Sequence, residues 1–165
     1  MLLVFSDQLQ KETEMKEGIG GPFLCMAVFC ERVLQEKDNV LSAIRIVDRF
    51  MQTIPGSETP EIKSHLRMDV SIVISLKSGD YKGKKQLKIT PRSPSGKELP
   101  GFSGPVIFEG EDKGVNVVVR YLFEGNEEGL YWFDVELDGK SLTKMPLRII
   151  YQKMGVTSTT TEPMH

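Results

Sequence analysis

From about Phe23 to Tyr151, apolar and polar positions alternate in run after run, with glycine-rich turns between the runs. A period of two is what a half-buried β-strand produces, because successive side chains point to opposite faces of a sheet. In Arg67–Lys77 the residues Met68, Val70, Ile72, Ile74 and Leu76 share one face, against Asp69, Ser71, Val73, Ser75 and Lys77 on the other. The same alternation sets Val115, Val117, Val119, Tyr121 and Phe123 against Asn116, Val118, Arg120 and Leu122. It recurs in Gly129–Leu137, with Tyr131, Phe133, Val135 and Leu137 inward, after which Asp138-Gly139 offers a positive-φ turn and Leu142–Tyr151 returns. Pro146 has no amide hydrogen to give a ladder, which predicts an edge or bulged position for that last strand.

The other elements follow the same logic. Phe23–Gln35 and Val40–Met51, joined by the polar turn Glu36-Lys37-Asp38-Asn39, predict a long hairpin. Residues 31–50 also carry helix formers and can be read with a 3.6 period, but their β-branched content and turn chemistry favour strand. Pro55, Gly56 and Pro60 make residues 52–66 a crossing loop. Ser78-Gly79-Asp80 reads as a turn into a shorter strand, Lys84–Thr90, whose lysines suit a sheet edge. Phe102–Glu109 leads to a further turn at Gly110–Gly114. The expected fold is all-β: an antiparallel sandwich of about 7–9 strands with immunoglobulin-like or jelly-roll topology. Residues 1–22 are expected to be an N-terminal arm, mobile or a short helix; 23–152 the sandwich; and the Thr- and Ser-rich stretch 153–165 a disordered tail.

Composition narrows the function classes. A chain of 165 residues fits one domain. With 21 basic against 23 acidic side chains there is no net attraction to a phosphate backbone, so nucleic acid is not an expected partner. No apolar stretch approaches the ~20 residues that span a bilayer, and Met1–Phe5 lacks a signal-like pattern, which predicts a cytoplasmic protein with no membrane partner. Cys25 and Cys30 share a predicted strand and sit roughly 16 Å apart, too far to bridge, as suits a reducing compartment.

Candidate chemistry is sparse. No Gly-x-Ser-x-Gly motif occurs, and no serine or cysteine is paired with a histidine at a recognisable spacing. His65 and His165 have no further ligand pattern near them. The acidic turns at residues 109–114 and 124–129 flank one strand and so lie roughly 30 Å apart, too far to share a calcium ion. Asp134 and Glu136 belong to the outward face of a strand, where carboxylates are solvated. No metal, cofactor or catalytic residue is therefore expected, and the chain is read as a non-enzyme. The suggestive residue is Trp132, which the alternation turns outward, beside Leu130 and toward Val118 or Leu122 of a neighbouring strand. Large outward aromatics anchor interfaces. The reading is a non-catalytic module of unknown biological role acting by protein association, with a homo-oligomer as one form, through Trp132, Leu130, Leu122, Val118 and Arg120. The alternative is a carbohydrate- or small-ligand-binding module using Trp132 with Arg120, Asn116 or Asp134 as a polar rim.

Two stretches carry a family resemblance. Ala27-Val28-Phe29-Cys30-Glu31-Arg32-Val33, then Leu41–Phe50 and the Pro-containing Ile54-Pro55, resemble the opening of an uncharacterised family of bacterial β-sandwich proteins, a domain of unknown function. The closing Gly129–Gly139 segment with Pro146-Leu147 is similar to the terminal hairpin of that family and of immunoglobulin-like domains. The resemblance implies a fold over residues 23–151 and assigns no catalytic or binding residue.

Overall fold

The computed structural model describes residues 18–38, 40–54, 66–125 and 127–153. Seven strands account for most of them: β1 (Phe23–Gln35), β2 (Leu41–Val47), β3 (Arg49–Ile54), β4 (Leu66–Arg92), β5 (Phe102–Gly125), β6 (Gly129–Leu137) and β7 (Lys140–Lys153). The chain folds as an all-β sandwich, as its periodicity predicts, but its sheet is mixed where an antiparallel one was expected, because β3 pairs parallel with β7. Residues 31–50 are strand rather than helix. Residues 1–17 of the predicted arm, 154–165 of the predicted tail and most of the predicted crossing loop fall outside the described residues, although Gln52–Ile54 belong to β3 and Lys153 ends β7.

The frame is a hairpin of unusual length. β4 has 27 residues and β5 has 24, and they pair antiparallel from Leu66–Gly125 to Ile89–Phe102. The first layer runs β2-β1-β4-β5, with β1 on β4 residues Ser71–Lys77. The second runs β5-β4-β6-β7-β3, with β6 on β4 residues Leu87–Arg92. β4 and β5 thus pass from one layer into the other.

That passage corrects the turns expected at Ser78-Gly79-Asp80 and Gly110–Gly114. Both are bends inside continuous strands: the ladder shifts register around Gly79, which pairs with Glu111. Gly79 and Glu111 hold φ of 58° and 56°, the left-handed region that lets a bulge turn a strand. Side chains stitch the bend, with Lys77 Nζ donating to the Asp112 carbonyl and Ser78 Oγ to that of Lys113, each at 3.0 Å. Gly20 and Asp80 exchange hydrogen bonds at 2.8 Å, which ties the stretch ahead of β1 to the same corner.

Pairing decides three further features. Lys84–Thr90 is part of the long β4 instead of a separate edge strand: from Leu87 on it lies between β5 and β6, while Lys84–Gln86 pair with β5 alone, and Lys84 and Lys88 point off the outer face of the second layer. The run Val40–Met51 is two strands, since the chain bends at Asp48, whose carbonyl accepts from the Arg148 amide at 3.0 Å as β3 joins β7 in parallel. Pro146 stands two residues before Arg148, where β3 begins to pair, so β7 is an edge at Pro146 and interior beyond it.

The core lies between the layers. Phe29, Ile72, Ile74 and Leu76 of the first layer meet Leu87, Phe108, Phe133 and Leu147 of the second, all of them buried. Phe133 takes the ring of Phe29 edge-on at 4.8 Å and that of Tyr121 at 5.5 Å, geometries that aromatic quadrupoles favour.

Candidate interaction surfaces

Because Tyr121 and Phe133 touch across the core, their chain neighbours point away from each other. Val118, Arg120 and Leu122 stand on the outer face of the first layer, and Trp132 on the outer face of the second. The single patch expected from Trp132, Leu130, Leu122, Val118 and Arg120 is therefore divided. β6, which carries Trp132 and Leu130, is flanked by β4 and β7, whereas Val118, Arg120 and Leu122 face Val73, Ser71 and Asp69 on the other half of β4. Asn116 lies with them, opposite Ser75.

Around Trp132 the neighbours are Arg92 on β4 and Pro146 on β7. The indole is 41% exposed and shares a shallow recess of about 330 Å³ with Arg92, Asp134 and Lys144. Arg92 Nε donates to Asp134 Oδ2 at 3.0 Å and also reaches Glu98 at 3.4 Å. Lys144 Nζ stands 3.2 Å from Asp134 Oδ1, an ion pair in which that oxygen has no aligned donor. Burial works to raise the Asp134 carboxyl, but Arg92 and Lys144 outweigh it and hold the group below the ordinary carboxylate range. Asp134 is the one residue of the predicted polar rim found beside Trp132. Arg92 and Lys144 come from strands whose adjacency periodicity does not encode.

The outer face of the first layer is more apolar than expected. Ile44 and Ile46 on β2 are 38% and 59% exposed, and Val118 and Leu122 on β5 are 42% and 51% exposed. Pairing of Cys30 with Ile46 and of Arg32 with Ile44 puts these isoleucines on the face that Cys30 shares with Ser71 and Arg120. Cys30 is buried there, and burial raises its thiol pKa; Cys25 is exposed, and both are free. Between the two apolar ridges, Arg120 Nε donates to both oxygens of Asp69 at 2.9 and 2.8 Å, and this bonding lowers the Asp69 pKa and raises that of Arg120. The β1–β4 ladder ends at Cys30–Ser71, and beyond it Glu31, Arg32, Val33, Asp69, Ser71 and Arg120 line a recess of about 390 Å³.

Of the two acidic segments expected as turns, the second holds structure together. Glu127 accepts from the amide and hydroxyl of Ser95 at 3.1 and 3.0 Å, and Glu128 from the Tyr151 amide at 3.3 Å. Among the described residues no three His, Cys, Asp or Glu side chains gather as a metal site.

No family model matches the chain, and no curated protein matches it. Among solved structures it is similar to an immunoglobulin-like protein from Pseudomonas aeruginosa, with 14% identity and a TM-score of 0.42, covering 79% of this chain and 97% of that one. A Pseudomonas fluorescens alkylpurine DNA glycosylase, bound to DNA containing an abasic site analog, matches at 10% identity and TM-score 0.37 over 75% of this chain and 30% of its own. A Listeria innocua β-glucosidase in complex with glucose matches at 13% identity and TM-score 0.35 over 62% of this chain and 15% of its own.

Proposed function

We propose that this chain is a non-catalytic association module that engages a second protein chain, in the first instance another copy of itself, through its β2-β1-β4-β5 layer. The observation that supports this reading is the placement of Ile44, Ile46, Val118 and Leu122 on the solvent side of one layer, where a sandwich normally alternates to polar side chains. Ile44 and Ile46 on one side and Val118 and Leu122 on the other flank a charged centre of Arg32, Asp69 and Arg120, the mix of apolar and polar groups found at interfaces between protein chains. Sedimentation velocity over a wide concentration range tests it: the wild type assembles as concentration rises, and Leu122→Asp shifts the equilibrium back to monomer with an unchanged circular dichroism spectrum. A wild type that stays monomeric at the highest concentration would refute self-association.

A second reading has its own observation. Trp132 beside Arg92, Asp134 and Lys144 pairs a stacking plane with hydrogen-bonding groups, the composition of a shallow site for a neutral sugar. Titration of a glycan panel against the emission of Trp132, which is the single tryptophan of the chain, tests that reading directly. Unchanged emission across the panel counts against it.

A further inference from the structure

Among the open strand edges of the described residues, several carry features that discourage pairing: the start of β1 has a bulge between Leu24 and Met26, and the stretch of β7 ahead of Arg148 contains Pro146. β2 is seven residues long and enters the left-handed region at Arg45, with φ of 54°. β3 has six residues. The first half of β5 contains Pro105, which offers no amide hydrogen. Short edges, local kinks and proline are the means by which proteins keep sheets from joining edge to edge.

The second half of β5 has none of them. Val115-Asn116-Val117-Val118-Val119-Arg120-Tyr121-Leu122 is rich in β-branched residues, lacks proline and glycine, and bears a single charge. It pairs with β4 on one side, and no described strand lies on the other. Its one charge, Arg120, is already paired with Asp69 within the chain, so two such edges can meet without strong like-charge repulsion.

We infer that the partner of this edge is the β5 edge of a second copy, the two strands running antiparallel across a two-fold axis so that the first layers of both molecules become one continuous sheet. This inference rests on the association reading above and specifies its geometry. An antiparallel pair of identical strands places residues at equal distances from the axis opposite each other. An axis at Arg120 would set two guanidinium groups face to face, which cross-strand energetics disfavour. An axis at Val118 sets Val118 against itself and Asn116 against Arg120 of the second copy, where the amide oxygen can accept from the guanidinium. Val118 and Leu122 then lie along the seam on the outer face. A strand seam buries area at or below the low end of the roughly 1,200–2,000 Å² of a standard interface, so the dimer exchanges readily and its population depends on concentration.

The experiment combines sedimentation velocity with residue-resolved amide exchange on the full chain. In the wild type, exchange of alternate amides between Val115 and Arg120 slows at least ten-fold as dimer forms, while the β2 edge is unchanged. Val118→Lys and Val118→Glu, each placing like charges opposite themselves, are monomeric alone with native circular dichroism, and an equimolar mixture of the two dimerises. Dimerisation without protection along β5, or persisting in both single variants, overturns edge pairing and leaves the association reading intact. A wild type monomeric at every concentration overturns both.

Discussion

Tyr121 and Phe133 meet edge to face, their ring centroids 5.5 Å apart, and this one contact separates the two outward surfaces of the protein. Phe133 also takes Phe29 at 4.8 Å, so it is the point where β1, β5 and β6 are held across the core. It is fully buried. Phe133→Ala removes the ring and leaves a cavity that two aromatic neighbours line, and should cost about 3–5 kcal/mol in urea unfolding. Phe133→Leu keeps most of the volume and should cost about half as much or less. A loss under about 1 kcal/mol for the alanine variant would mean that the layers are not joined there.

The same contact explains what was legible in the sequence. Alternation told inside from outside correctly for Val115–Leu122 and for Leu130–Leu137, because a side chain's face follows from parity alone. It did not say which outside. Leu122 and Trp132 are both outward, yet they belong to different layers, because β6 pairs with the second half of β4 and the outward residues of β5 with the first half. The bends at Gly79 and Gly110 were read as turns for a related reason: Gly and Asp clusters serve a hairpin turn and a bulged bend equally well, and long-range pairing decides between them. Ile44 and Ile46 went unread as surface because their run was taken as one strand, whereas the break at Asp48 sends its two halves to different layers.

Two glycines with similar backbone angles should respond differently to alanine. Gly139 closes the β6–β7 turn with φ of 74°, and a methyl group there meets nothing within 4 Å. Gly139→Ala should therefore cost only the left-handed penalty of about 1–2 kcal/mol. Gly79 has φ of 58°, and a methyl group there overlaps the Gly20 carbonyl oxygen and comes within 2.8 Å of the Phe23 ring. Gly79→Ala adds that overlap to the same penalty and should cost at least about 3 kcal/mol. Equal costs in chemical denaturation would contradict the packing of residues 18–23 on the bend.

Alkaline stability should depend on Tyr131. Its hydroxyl donates to the Glu127 carbonyl at 2.9 Å, and burial, reinforced by the Glu127 charge, pushes its pKa up to about 12. The unfolded value is about 10, so the contribution is intact below pH ~10 and is lost between pH ~10 and ~12, where the unfolded chain ionises and the folded one does not. A shift of that size corresponds to ~2–3 kcal/mol across the window. Tyr131→Phe should lose about 1 kcal/mol near neutrality with the hydrogen bond and then fall less steeply as pH rises. The slope should not vanish, since burial also raises Tyr121 and Tyr151. Denaturant midpoints at pH 8, 10 and 11 measure it, and parallel curves for the two proteins would exclude Tyr131 as the group responsible.

On the acid side the corresponding group is Asp138, at the first left-handed position of the β6–β7 turn with φ of 49°. Its carboxylate accepts from the Gln86 amide at 2.8 Å and from Lys85 Nζ at 2.8 Å, fastening the turn to the middle of β4. The Gln86 amide, followed by Lys85, holds its pKa below the ordinary carboxylate value. A depressed carboxyl pKa stabilises the fold above the unfolded value near 4, and that contribution fades as pH falls through the lower, folded value. Asparagine tolerates the same backbone angle and can still accept from Gln86, so Asp138→Asn leaves the turn intact while removing the titrating group. The variant should be the less stable protein at pH 7, where the Lys85 pairing is lost, and the gap should close as pH drops below 4. Thermal unfolding at pH 7, 5 and 3 reads this convergence, and a difference that stays constant over the range would assign the effect of the substitution to turn geometry instead of charge.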